Sequence, residues 1–298
     1  MSSNTRAWSL FAAMCVIWGI PYLLIRVAVR DLDPAMLVFA RTTIAAAVLL
    51  PIAVKRNELR PVLARWRPLL VFAAIEIAIP WLLLSSAERR LSSSFSGLMI
   101  AVVPLVGALI VREQLGTWSV GGLVLGFGGV VALVGLDLHG TSAIGLVEIA
   151  GVIVGYAFGP VVLSRHLSGL PAMGVIAAAL GVTTIVYAPF AAFDVPSSMP
   201  SAKVVSSVIG LALVCTALAF IVFFALIAEV GPVRATVITY VNPAVAAALG
   251  VWLLSEKFTA GMGIGFALIL VGSVLAARKP SEVVDVVSAG QAGLRAEA

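Results

Sequence analysis

Ten apolar runs, each about as long as a membrane-spanning helix, dominate this chain and leave it few ways to fold. They cover residues 8–29, 34–54, 68–86, 93–111, 117–135, 143–163, 171–192, 204–228, 232–254 and 260–277. A bilayer core about 30 Å thick needs about 20 apolar residues per helix, so ten such helices with short loops use up the chain. With 61% hydrophobic and 11% charged residues, against roughly 25% charged in a soluble domain, the runs cannot all be hidden in a soluble core. The sequence predicts an all-α membrane protein with ten transmembrane helices.

An even number of spans puts both termini on one side. The nineteen lysines and arginines then divide unequally. Five fall in loops on the far side (Arg30, Arg89, Arg90, Lys203, Lys257), two lie within helices (Arg26, Arg41), and twelve lie on the side of the termini. Excess Lys and Arg marks the cytoplasmic face, which places both termini in the cytoplasm and the protein in a bacterial-type inner membrane as a multi-pass chain. The net charge of +5 is thereby explained without nucleic acid, because the basic residues sit at helix ends rather than in one patch. Arg6 before an apolar run resembles a signal peptide, but the run continues through Pro21 to Val29, and the segment reads as a retained first helix. Cys15 and Cys215 lie in apolar runs at no metal-ligand spacing and read as packing residues.

The chain also repeats itself in order. Pro21 and Arg26 correspond to Pro160 and Arg165, and Pro34-Ala35-Met36 to Pro171-Ala172-Met173, with Pro51 and Pro189 near the far ends of those helices. Glu113 is followed by Gly122 and Gly129 at the intervals at which Gly265 and Gly272 follow Glu256. Pro104 and Pro243 sit in the preceding helix of each half, at distances to the glutamate that differ by about one helical turn. These matches predict a first five-helix repeat over 1–138, a second over 139–279 and a disordered cytoplasmic tail over 280–298. Since five is odd, the second repeat runs in the opposite sense. Inverted repeats are the architecture of secondary transporters, with the site near the midplane between the halves.

Trp18-Gly19, Arg41, Pro104 before Arg112-Glu113-Gln114-Leu115, and Tyr240-Val241-Asn242-Pro243 through Ser255-Glu256-Lys257-Phe258 together resemble the EamA family of the drug/metabolite transporter superfamily. The resemblance covers nearly the whole chain in two copies. It implies ten helices with cytoplasmic termini and a central cavity lined by helices 1 to 4 and 6 to 9, with helices 5 and 10 peripheral. It also implies export of amino acids, including aromatic ones, or of other metabolites.

Four charges fall within the helices: Arg26, Arg41, Glu76 and Glu148. Each costs about 2.5 to 3.5 kcal/mol at a helix centre, so each must face a partner or water. Either they neutralise one another, with Glu76 paired to Arg41, or one or more meets substrate or a proton. Trp18, Tyr22, Trp81, Tyr156 and Tyr240 are candidate substrate contacts, by stacking or by holding an ammonium group. Asn242 joins them as an amide that is costly to bury alone. Pro104 and Pro243 each remove a helical hydrogen bond and are read as kinks that form paired gates. Glu113 and Glu256 are assigned to the positive ends of the helices that follow them. Gly122-x3-Gly126 and Gly261-x3-Gly265 are assigned to close helix packing.

Other functions lack their chemistry. The histidines, His139 and His166, and the aspartates before the tail fall in loops, and no nucleophile with a base and no metal-ligand set lies within the helices, which argues against an intramembrane enzyme. No lysine follows a phosphate-binding glycine loop, so an ATP motor would be another chain. The sequence calls for no cofactor and no metal, and for a small-molecule substrate and lipid as partners without nucleic acid; it leaves the oligomeric state open, a monomer being one option. Its cavity is aromatic with few charges, which favours amino acids over phosphate-bearing cargo. A drug or metabolite proton antiporter and a simple pore are the alternatives. Transport by rocking of the two halves is expected, with the helix 3–4 and 8–9 hairpins opening one side at a time.

Overall fold

The computed structural model describes residues 3–111, 117–135 and 142–276, apart from 195, 197, 232–234 and 236. Glu113, Arg112, His139 and the 280–298 tail lie outside the described residues. Among those described, every regular element is helical. Seven helices are long and apolar enough to cross a membrane: Thr5–Ala28, Pro34–Lys55, Trp66–Ala87, Ser93–Ile110, Ala143–His166, Ala172–Phe193 and Ala202–Val230. Three further apolar helices are shorter: Val120–Val134, Ile238–Leu254 and Ala260–Ala276. Strict alternation between faces is absent because a helix surrounded by lipid and apolar neighbours has no polar side to present.

Several of these helices are broken or locally underwound. The first consists of α1 (Ser3–Ile17) and α2 (Ile20–Ala28), with a turn at Trp18-Gly19 and Pro21 opening the second part. It is followed by α3 (Pro34–Lys55), whose N-terminus is capped where the Asp33 carboxylate accepts from the Ala35 amide at 2.8 Å and Pro34 occupies a position that needs no donor. After the short α4 (Leu59–Leu63), the third long helix is α5 (Trp66–Phe72), a π-helical segment π1 (Ala73–Ala78) and α6 (Ile79–Ala87). The fourth is α7 (Ser93–Ile100) and α8 (Val103–Val111), separated by a turn at Ala101-Val102. Then come α9 (Thr117–Gly135), α10 (Ala143–His166) and α11 (Ala172–Phe193). The next helix is α12 (Ala202–Ile209), a second π segment π2 (Gly210–Leu218) and α13 (Ala219–Val230); α14 (Ile238–Leu254) and α15 (Ala260–Ala276) complete the chain.

The two prolines expected to form matched kinks are not matched. At Pro104 the helix has already broken, two residues earlier, whereas Pro243 lies inside the continuous α14. The matched irregularity is the π turn. π1 begins at Ala73 and π2 at Gly210, an interval of 137 positions, the same as that from Pro34 to Pro171. In π1 the cause is Pro80, which has no N–H to donate to the turn before it. In π2 it is Thr216, whose hydroxyl donates to the Leu211 carbonyl five residues back at 2.8 Å.

The packing exchanges the two sets of helices. α1 lies on α13 and α10 on α6; α3 lies on α11; α7 lies on α14; α9 lies on α15. The last pair meets backbone to backbone: a Cβ at Gly129 would stand 2.7 Å from the Gly265 carbonyl oxygen, and one at Gly122 would stand 2.7 Å from that of Gly272. The expected glycine faces thus do bring two helices into close approach, through Gly265 and Gly272 on α15.

Candidate functional site

The interior holds a buried arginine that pairs with no carboxylate among the described residues. Arg41 on α3 is 7% exposed. Its guanidinium lies over the Trp81 ring, 3.6 Å from the centroid, and its Nε donates to Thr216 Oγ1 at 2.9 Å. A desolvated contact of this kind is worth about 2 kcal/mol, which offsets part of the cost of burying the charge without cancelling it. Tyr22 of α2, Tyr156 of α10 and Cys215 of π2 are its other electrostatic neighbours.

Glu76 comes from the other direction. It lies in π1, where the wider turn lets it share a face with Trp81 five residues on. Its carboxylate rests on α10 at Gly159, and it interacts electrostatically with Tyr156. Oε2 is buried and has no hydrogen-bond partner among the described residues. The approach depends on a stripe of glycines that the sequence reading passed over. Gly151, Gly155 and Gly159 face Leu83, the Ile75 carbonyl with Pro80, and Glu76 in turn.

The expected mutual neutralisation of four charges is therefore corrected. Among the described residues no salt bridge joins any two of Arg26, Arg41, Glu76 and Glu148. Glu148 pairs with Arg90 at 3.1 Å and accepts from the Ser86 hydroxyl at 2.6 Å. Arg26 donates to the backbone carbonyl of Glu88. The physical reason is reach: Arg26 and Glu148 find partners near helix ends, Arg41 finds Trp81 and Thr216 deeper in, and Glu76 approaches from the other side against α10.

Of the aromatic candidates, Tyr22, Trp81 and Tyr156 meet around Arg41. Trp18 joins a different group, tilted against Phe223 with centroids 4.7 Å apart and edge-on to Phe220 at 6.0 Å. Tyr240 is half-buried on α14. Asn242 serves the break in the first helix. With its amide nitrogen turned toward the two carbonyls, the orientation that satisfies both its atoms, it donates to Cys15 at 3.1 Å and Ile238 at 3.0 Å. The Gly19 amide bonds Val16 instead, which leaves the Cys15 carbonyl available. Gly19 sits so close that a Cβ there would stand 3.2 Å from the Asn242 carbonyl oxygen.

One end of the bundle is closed by a polar network. Arg89 bonds the Leu32 carbonyl at 2.9 Å and pairs with Asp33 at 3.4 Å, while Arg90 holds Glu148. Glu256, assigned from sequence to the helix that follows it, instead caps α7. Its two oxygens accept from the Ser93 and Ser94 amides, each at 2.8 Å, and from both serine hydroxyls at 3.1 and 2.6 Å. A carboxylate favours the positive end of any helix within reach, and after the left-handed turn at Ser255 (φ 54°) the nearest one is α7.

Comparison with known proteins adds the family. The model of the EamA-like transporter family matches residues 5–135 and again residues 143–278. A crystal structure of 22% sequence identity aligns with 92% of this chain and 96% of its own length at a TM-score of 0.65, which shows a shared fold. No curated protein matches.

Proposed function

The chain belongs to the EamA-like transporter family, a family of multi-span membrane transporters, and from that premise we propose that it is an inner-membrane secondary transporter exporting amino acids or similar small metabolites by alternating access. One observation carries the substrate class. Arg41 is buried and Glu76 is half-buried with its Oε2 shielded from solvent, neither has an ionic partner among the described residues, and both neighbour Tyr156. An α-amino acid carries one carboxylate and one ammonium, so a single zwitterion supplies the missing counter-charge to each. Burying charges together costs far less than burying either alone. Tyr22, Trp81 and Tyr156 give the rest of the ligand an aromatic wall, and Trp18 and Tyr240 are proposed as further substrate contacts.

The architecture proposed for this activity is ten spans in two inverted halves, 1–138 and 139–279, with cytoplasmic termini. Its support is the exchange of packing partners between the halves, the double family match and the common interval of 137 positions. Glu88, Glu148 and Glu256 then lie toward the outer face.

Competition for uptake into proteoliposomes tests the reading. An amino acid, its decarboxylated amine and its deaminated acid are compared at equal concentration. The whole zwitterion is expected to compete best, with Arg41→Gln removing the advantage of the carboxylate and Glu76→Gln that of the ammonium. Equal competition by the amine alone would instead favour a cationic drug or metabolite as substrate.

A further inference from the structure

Glu88 is the buried acid that the site above does not use. It stands one residue past the third long helix, it is 0% exposed, and both its carboxylate oxygens lack a hydrogen-bond partner among the described residues. Native structures rarely leave such a group without a purpose, because desolvating it unpaired is costly. Its neighbours in sequence do not help: Arg89 is taken up by Asp33 and Arg90 by Glu148. The charged and titratable groups that face it are Arg26 and Tyr22 on α2 and Glu256 from the α14–α15 connection. Arg26 spends its hydrogen bond on the Glu88 carbonyl rather than on the carboxylate. Glu256 is held in place by the α7 amides, so it cannot retreat.

We propose that Glu88 is a proton-binding site that gates the outer end of the transporter: the closed network holds it as a neutral acid, and loss of its proton opens that end. A carboxylate formed there would be buried, and it would be repelled by the fixed Glu256 carboxylate at the start of α7. Moving the α3, α7 and α14 ends apart admits water and relieves both penalties. Burial, with Glu256 adding to it, pushes the Glu88 carboxyl well above the usual carboxylate range, and Arg26 offsets part of the rise. The closed end therefore binds the proton more tightly than the open end does. Closure is favoured at low external pH and lost as pH rises through the closed-state value. The inference rests on the transporter reading for the identity of the outer side, but not on the substrate.

The test needs no substrate. In a background without Cys15 and Cys215, Ser96→Cys on α7 (0% exposed) is labelled from outside proteoliposomes at fixed internal pH. Rates are normalised to Ser198→Cys, which is exposed whatever the gate does. The normalised rate is expected to rise with external pH. Glu88→Gln should abolish that dependence, and Arg26→Gln should move its midpoint up by about one unit, since a nearby cation lowers a carboxyl by about that much or more. A dependence that survives Glu88→Gln overturns the proposal. Should Glu88→Gln fail to fold, an unmoved midpoint in Arg26→Gln overturns it equally. Loss of zwitterion selectivity with an intact pH response would sink the substrate reading alone.

Discussion

Glu76 lays its carboxylate on the bare backbone at Gly159: a Cβ added to that glycine would stand 2.8 Å from the carboxyl carbon and 3.2 Å from the Glu76 Cβ. One turn away, Gly155 meets something that cannot move, the Ile75 carbonyl oxygen at 2.6 Å and the Pro80 ring at 2.7 Å. The two glycines are therefore expected to fail differently. Gly155→Ala pushes on backbone and should lose about 1–3 kcal/mol of stability, the usual range for overpacking. Gly159→Ala pushes on a flexible side chain, so it should fold but displace the carboxylate and raise KM for substrate. Thermal melts in detergent beside transport kinetics separate the two; a Gly159→Ala protein with unchanged KM would remove Glu76 from the site.

Arg41 rests on Trp81 and Thr216 and forms no ion pair with Glu76 among the described residues, so their substitutions should not rescue each other. Glu76→Gln replaces a half-buried group lacking an ionic partner by a neutral one and is expected to leave stability unchanged or improved. Arg41→Gln loses both the Trp81 stack and the Thr216 bond and is expected to destabilise. The double variant should be additive to within about 0.5 kcal/mol, as for independent sites. A coupling well above that in a double-mutant cycle would restore the direct ion pair read from the sequence.

Much of the fold was legible from the apolar runs, since twenty-residue stretches leave few choices in a bilayer. The glycine faces of α9 and α15 were legible for the same reason. What escaped was hydrogen-bond register. Gly210–Leu218 reads GLALVCTAL, as good an α-helix as any in the chain, and only the Thr216 hydroxyl taking the Leu211 carbonyl shows why the turn widens. Arg41 was recognisable as a charge within a helix, but its partner Thr216 lies 175 positions away and carries no charge to be matched. Glu88 was hidden by its neighbours, because Glu88-Arg89-Arg90 looks like a solvated loop until two of the three side chains turn outward and one turns in.

Topology can be checked at equivalent positions. Asp31 and Ser168 are both exposed and 137 positions apart, just before Pro34 and Pro171. In an inverted repeat they face opposite sides of the membrane. A membrane-impermeant thiol reagent is expected to label Asp31→Cys from outside and to reach Ser168→Cys only after permeabilisation. Labelling of both from one side would remove the inverted arrangement.

The Thr216 hydroxyl makes two bonds at once, accepting from Arg41 Nε and donating to the Leu211 carbonyl. It thereby ties the buried cation to the π turn of the second half, as Glu76 ties the missing counter-charge to the π turn of the first. Thr216→Val keeps the shape and removes both bonds, leaving a guanidinium N–H without its partner at about 1–3 kcal/mol. Without the hydroxyl the segment can rewind as an α-helix, in which the Cys215 amide takes the Leu211 carbonyl. Rewinding rotates everything beyond it relative to α3 and takes position 216 away from Arg41. Thr216→Val is therefore expected to melt close to the parent while exchanging substrate at least tenfold more slowly, and Thr216→Ser, which keeps the hydroxyl, should recover most of the rate. A Thr216→Val protein that transports normally would show that the paired π turns are passive features of packing.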